Sequence, residues 1–256
     1  MNLSAVIITF NEERNIDRCL KSIEGITDEI IVLDSFSTDL TEEICRKYQD
    51  VKFVQHIFDG HIQQKNRALD LASNDFVLSL DADEEVSPEL RASILKIKQG
   101  PEADGYLINR LNNYCGKWIR HGSWYPDRNL RLFDRRKTRW AGINPHDKAE
   151  IQPDCRTSRI KGDLFHYSYA TVGEHSRKLD YFSTLAADAY LKAGKRAPFA
   201  KLIFNPAFAF FRDYFLRLGF LDGYYGWLIA RFSLYYTFLK YSKLRFLLSQ
   251  AKNNNR

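Results

Sequence analysis

Over the first hundred residues, short apolar runs alternate regularly with longer amphipathic stretches. Residues 5–10, 29–33, 51–54 and 76–80 are rich in Val, Ile, Leu and Phe and short enough to be buried strands. Between them lie helical patterns. Ile16, Leu20 and Ile23 mark one face of the first, with Asn11 able to cap it and Gly25 to end it; Ile44 marks the second, and residues 63–72 form the third. Ser87 followed by Pro88 is a strong start for a fourth helix, and residues 106–108 read as a fifth strand. Such alternation implies an α/β fold with a Rossmann-like, mostly parallel sheet flanked by helices.

Ligands of such sheets bind beyond the carboxyl ends of the strands. Three polar segments fall there: Asn11-Glu12-Glu13, Asp34-Ser35 and Asp81-Ala82-Asp83. Two carboxylates at i and i+2 on a turn can hold a hard cation and leave room for phosphate oxygens and water. That cation would offset charge on a departing nucleotide. A solvated acidic turn capping the next helix is the plainer reading, but the apolar strand before Asp81 favours function. Asp34 can accept the ring N–H of a pyrimidine, whereas Asp39 better suits a helix cap.

Several classes are excluded by what is missing or misplaced. No Gly-x-Gly-x-x-Gly follows a strand, which disfavours a dinucleotide-binding dehydrogenase; Asn11-Glu12-Glu13-Arg14 replaces the Gly-rich loop of a sugar nucleotidyltransferase. Cys19, Cys45, Cys115 and Cys155 form no Cys-x-x-Cys pair and read as reduced thiols of a cytosolic protein. The start runs straight into acidic residues, unlike a signal peptide. A nucleic-acid-binding protein would line a polar face with its bases. Here, from residue 190 on, twelve Lys and Arg stand against two acids but are interleaved with Phe and Tyr.

The segments VIITFNEERNI (6–16), IVLDSFSTDLT (31–41), QKNRALDLA (64–72) and LDADEEV (80–86) together resemble glycosyltransferase family 2, the inverting group with the GT-A fold. WYPDRNLRLFDRR (124–136), WAGINPHDKAEI (140–151), LFHYSY (164–169) and GFLDGYYGW (219–227) narrow the likeness to the lipopolysaccharide core β-1,4-glucosyltransferase subfamily. Two departures are Asp34-Ser35-Phe36, where two acids and a Gly are usual, and Lys65-Asn66, where Arg-Asn is usual. A third is His146-Asp147, where His-Glu is usual. The resemblance implies a GT-A nucleotide-diphospho-sugar transferase using a UDP-sugar donor and Mg2+ or Mn2+. It implies a lipid-linked glycan acceptor, the lipopolysaccharide core, at the cytoplasmic face of a bacterial inner membrane. It places Thr9, Phe10, Asn11, Glu12, Asp34, Lys65, Asp81, Ala82 and Asp83 around the donor, with Asp83 and Asp81 on the metal. Another surface glycan or a polyprenyl phosphate is the alternative acceptor.

Inverting transfer needs one base to take the acceptor hydroxyl proton. Asp147 is the candidate and Asp127 the alternative; a turn cap is the plainer reading of Asp147. His166 either joins the metal or a phosphate, or is a satisfied core histidine. Arg128 and Arg131 suit phosphates of donor or acceptor. His146, Trp124 and Tyr125 suit the acceptor side; Trp118, Trp124, Tyr125 and Trp140 are the aromatics able to stack on sugar rings, although core packing is the plainer reading of any one of them. The middle of the chain, residues 112–165, reads as short strands and loops completing this site.

The expected organisation is a catalytic domain over residues 1–195, donor half to about 110 and acceptor half to 195. A C-terminal helical, amphipathic extension follows over 196–256. Seventeen of the 36 aromatics lie between Phe199 and Phe246, but charges recur too often for a spanning helix of roughly 20 apolar residues. An anionic membrane surface is the expected partner of this extension, and core cover the competing reading.

Overall fold

The computed structural model describes residues 1–143 and 146–254. It divides into two compact units, residues 1–111 with 127–167, and residues 112–126 with the chain from Ser168 onward. The alternating elements are β1 (Leu3–Thr9), α1 (Ile16–Ile23), β2 (Glu29–Asp34), α2 (Thr41–Cys45), β3 (Val51–Gln55), α3 (His61–Leu71) and β4 (Phe76–Asp81). Then come β5 (Glu84–Val86), α4 (Pro88–Gln99), β6 (Gly105–Tyr114) and β7 (Lys117–Ile119), followed by β8 (Asp127–Asp134), β9 (Thr138–Ile143), β10 (His146–Ile151) and β11 (Thr157–Tyr169).

The main sheet runs in the order β3-β2-β1-β4-β8-β6-β11-β5. Its first four strands are parallel, β8 is antiparallel to β4 and to β6, and β5 is antiparallel to β11. Of the parallel strands, β1, β2 and β4 are buried on both faces and run largely apolar, whereas β3, at the sheet edge, is partly exposed. Alternate residues still separate cleanly. Ala5 and Ile7 of β1 with Ile30 and Val32 of β2 join the helices α1 and α4; Val6, Ile31 and Leu33 join Ala68 and Leu69 of α3. β9 and β10 form a separate two-stranded sheet. Gly162 of β11 is required by close approach: a Cβ there would lie 2.2 Å from the backbone nitrogen of Leu90, and its φ is +92°.

The α/β alternation expected from the sequence is present, with two corrections. Asn11 does not cap α1; Asn15 stands at that position, because a turn accepting Asn15 and Ile16 N–H at the Glu12 carbonyl intervenes. The middle region holds long strands beside the expected short ones: β8 spans 8 residues and β11 spans 13, while β7 spans 3 and β9 and β10 span 6 each.

The second unit is helical, with α5 (Val172–Lys192), α6 (Phe199–Phe211) and α7 (Gly223–Asn254). A π-helical turn, Arg212–Leu216, and a 3-10 turn, Gly219–Asp222, join α6 to α7. Thr171 caps α5 by accepting the Glu174 N–H. Lys243 of α7 donates to Asp180, Ser183 and Thr184 of α5. The chain therefore does not divide near residue 195, since α5 packs with the helices that follow it. The 219–227 motif is structural here. Asp222 accepts the backbone N–H groups of Arg120 and His121, and a Cβ on Gly226 would lie 1.8 Å from the Gly219 carbonyl oxygen.

Candidate active site

The carboxyl ends of β1, β2 and β4 meet at one level of the sheet. Thr9 is opposite Asp34 and Ile8 is opposite Asp81. Beyond them the first two loops are laced together. Asn11 N–H donates to the Ser37 hydroxyl, its side-chain oxygen accepts the Thr38 N–H at 2.8 Å, and Glu12 N–H donates to Thr41 at 2.8 Å. Asn11 and Phe36 both adopt positive φ, +54° and +60°. Asp34 is fully buried and accepts the Ser37 N–H, the Ser37 hydroxyl and the Gln55 amide. Its carboxylate shapes this loop. Asp39 accepts the Thr41 N–H and hydroxyl just ahead of α2, but the N-cap position is Leu40, so Asp39 ties the loop where a helix cap was expected. Phe10 and Phe36 stand exposed on the two loops, and Thr9 is buried with its hydroxyl unpaired.

Beneath the Asp81–Asp83 turn, acids and bases alternate. Arg131, 3% exposed, donates to Asp81 at 3.0 Å and to Glu84 at 2.7 Å. The other Glu84 oxygen accepts the Asp81 N–H at 2.9 Å, closing the turn. Arg110 lies 3.8 Å from Glu84 and 2.8 Å from Asp127. Burial opposes the charge on Asp81, but Lys65 and Arg131 outweigh it and hold the carboxyl well below the usual range. Burial pushes the Glu84 carboxyl up, against the pull of Arg131. Arg131 is thus an internal counter-ion, a correction to its expected place at a phosphate. The same contacts change the role of Asp81: both its oxygens face cations, Oδ1 toward Lys65 at 3.1 Å and Oδ2 toward Arg131, so it anchors the turn where metal ligation was expected.

Three consecutive residues of α3 reach three parts of the site. The Gln64 amide donates to the Ser35 hydroxyl, next to Asp34. Lys65 bridges Asp81 and Asp147, the latter at 2.9 Å, and lies 4.2 Å above the Trp140 ring. Asn66 pairs with the backbone of Trp140. Lys65 therefore joins the strand-end acids to the candidate base, two groups far apart in sequence.

Asp83 and His166 come together from the β4–β5 turn and β11, with Nε2 3.2 Å from the carboxylate. A carboxylate and an imidazole suit a divalent cation that takes the rest of its shell from phosphate oxygens and water. Among the described residues no three His, Cys, Asp or Glu gather into a complete metal cage.

The remaining expected residues are spread more widely. Ala82 is buried in the turn, and Arg128 is exposed on β8. Asp127 is held by Arg110 and Asn129. In the second unit Trp124 packs edge-on against Tyr114 and His175 and at a tilt against Tyr169, so it is a core aromatic; Tyr125 is half-buried beside it. The side chain of His146 lies outside the described residues. Gln64, Asn66, Glu84 and Arg110 had drawn no role from the sequence. The unbroken polar run Gln63–Arg67 inside a helical pattern was the available signal for the first two.

The glycosyl transferase family 2 model matches residues 4–151. The chain is 32% identical to the lipopolysaccharide core biosynthesis glycosyltransferase LpsC of Rhizobium meliloti, over 94% of this chain and 91% of LpsC. It is 31% identical to an uncharacterized glycosyltransferase of Rickettsia typhi, over 98% and 89%. Among solved structures it is similar in fold to a mannosyltransferase from Pyrobaculum calidifontis in complex with GDP-Man and Mn2+, with a TM-score of 0.56 and 16% identity over 95% of this chain and 86% of that one. It is similar also to S. aureus TarS 1-349 in complex with UDP-GlcNAc, with a TM-score of 0.52 and 17% identity over 99% and 92%. The strand-end acids, the GT-A architecture of these neighbours and the family match agree: the chain belongs to glycosyl transferase family 2.

Proposed function

We propose that this glycosyltransferase moves a hexose, glucose, from a UDP-sugar to a heptose of the lipopolysaccharide inner core with inversion. The observation that carries the acceptor assignment is the similarity to LpsC along nearly the whole of both chains. The loops carrying Phe10, Asn11, Glu12 and Asp34 hold the uridine between exposed rings, and Lys65 and Ala82 adjoin the diphosphate. Asp83 and His166 would hold Mg2+ or Mn2+, which would offset the charge developing on the leaving diphosphate. Asp147 takes the acceptor hydroxyl proton. The oxygen attacks the anomeric carbon from the face opposite UDP, and UDP leaves with the bonding electron pair. Asp127 is the weaker candidate because Arg110 and Asn129 already occupy its oxygens.

The acceptor is lipid-linked, so the enzyme works at the cytoplasmic face of the inner membrane, bound peripherally through the aromatic helices of its second unit. Among the described residues no helix is long and apolar enough to cross a membrane.

The test is a donor screen. UDP-glucose, UDP-galactose and UDP-N-acetylglucosamine are offered with purified, core-truncated lipopolysaccharide, and released UDP is measured. UDP-glucose should give acceptor-dependent release that EDTA abolishes and Mg2+ or Mn2+ restores. Release independent of the acceptor overturns the acceptor assignment, and a full rate in EDTA overturns the metal.

A further inference from the structure

The β9–β10 hairpin carries Asp147 but belongs to a sheet of its own. Its attachment therefore decides where the carboxylate stands. In the antiparallel register Trp140 lies opposite Ala149, and Gly142 opposite Asp147. Residues two apart share a face, so Trp140 and Asp147 lie on the same side of the hairpin. Lys65 contacts both of them.

Both backbone groups of Trp140 reach α3. Its N–H donates to the Asn66 side-chain oxygen at 3.0 Å, and its carbonyl accepts from the Asn66 amide nitrogen at 2.8 Å. One side chain thus satisfies the outward edge of β9 as a third strand would, with both bonds in register. Asn is a poor choice inside a helix, since its amide competes with the helix backbone. At position 66 it has a specific partner instead. Asn is also the side chain whose short amide offers one donor and one acceptor side by side.

We propose that Asn66 is a positioning residue that latches the β9–β10 hairpin onto α3 and so fixes Asp147 beside Lys65 and Asp81. The inference rests on the assignment of Asp147 as the base. Asn66 touches no substrate; it acts through the strand it holds. Losing it frees the β9 edge and lets the carboxylate drift, while the donor loops on β1, β2 and β4 keep their own lacing.

The test uses the full chain and two variants. Asn66→Ala removes both bonds, and Asn66→Asp keeps an acceptor for the Trp140 N–H but cannot donate to its carbonyl. Amide hydrogen exchange over residues 138–151 should rise about tenfold or more in Asn66→Ala and less in Asn66→Asp. The kcat should fall about tenfold or more, with the KM for UDP-sugar nearly unchanged. In an Asp147→Asn background the substitution should cost little further activity, because the group it positions is already gone. Should Asn66→Ala not fold, Asn66→Asp carries the same readouts. Unchanged exchange over the hairpin overturns the latch. Raised exchange with a rate loss that persists in full in Asp147→Asn overturns instead the choice of Asp147 as the base.

Discussion

Arg131 sits almost wholly inside the protein, and its guanidinium is tolerable there because Asp81 and Glu84 both lie within 3.0 Å. Removing one partner of a buried ion pair is far more costly than never having built the pair, since an uncompensated charge remains. Arg131→Met should therefore lower stability by about 3–5 kcal/mol in denaturant unfolding. Arg131→Met combined with Glu84→Gln should recover part of that loss, because the amide keeps a hydrogen-bonding group near the Asp81 N–H without a buried charge. If the double variant is no more stable than the single one, the charge on Glu84 is not what Arg131 compensates. The strand-end acids could be read from the sequence because a carboxylate directly after an apolar run marks where a buried strand emerges. Arg131 could not. Its partner Asp81 is 50 residues away, on another strand, and an arginine within LRLF reads equally as a phosphate ligand or as one more surface charge. The same holds for Lys65 and Asp147, which are 82 residues apart. Each was visible as a residue of interest, but neither sequence pattern could show that they touch.

Among the elements, α5 illustrates what burial does to a titratable group. His175 lies in its first turn, stacked 4.5 Å from Tyr169 and 4.1 Å from Phe232, with Nδ1 3.1 Å from the Tyr114 hydroxyl. Burial, with Lys178 adding to it, pushes its pKa down to about 4. The unfolded chain binds a proton near pH 6.5 that the folded protein refuses until about pH 4, so stability falls as pH drops through that window. The shift corresponds to about 3 kcal/mol once the window is crossed. Thermal or denaturant unfolding from pH 7 to 4 should show a shallower decline in His175→Gln than in the wild type. Parallel curves would mean that His175 does not sense pH in the folded state. The helix itself runs regularly from its Thr171 cap to Lys192. The strands before it were hard to read from the sequence, because β11, TSRIKGDLFHYSY, is buried at few of its positions and crosses from the α/β unit into the helical one. With changing neighbours along its length, no single alternation could persist. The parallel strands β1, β2 and β4 were legible because both their faces are covered throughout.

The molecule as a whole carries its apolar excess in an unusual place. A helix that serves a core turns its large side chains inward. In α6 and the turn after it, Phe204 is 68% exposed, Phe208 58%, Phe211 48% and Phe215 48%, while the buried positions of α6 are Pro206 and Ala209. Spacings of four, three and four put these rings along one stripe. Contiguous exposed apolar surface of this kind marks an interaction site. The same end of the chain, from residue 190, holds twelve Lys and Arg against two acids, which suits an anionic bilayer better than a neutral partner. On the proposed membrane reading, such rings would sit at the headgroup boundary and the Lys and Arg of this unit would meet the anionic headgroups. Deleting the chain after residue 195 is a poor test, because α7 buries Ile229 against Tyr114 and Ile119, and Leu244 against Ala187 of α5. Exposed rings can be changed without opening those clusters. Full-length protein should float with vesicles containing phosphatidylglycerol, float much less with pure phosphatidylcholine, and be released by high salt. Phe204→Ser with Phe208→Ser should weaken binding to the anionic vesicles about tenfold or more, since each buried ring contributes up to about 2–3 kcal/mol. Transfer to a short, detergent-free acceptor fragment should stay at the wild-type rate, as neither ring belongs to the catalytic machinery. Equal flotation of the double variant and the wild type would show that this stripe is not what holds the enzyme to the lipid surface.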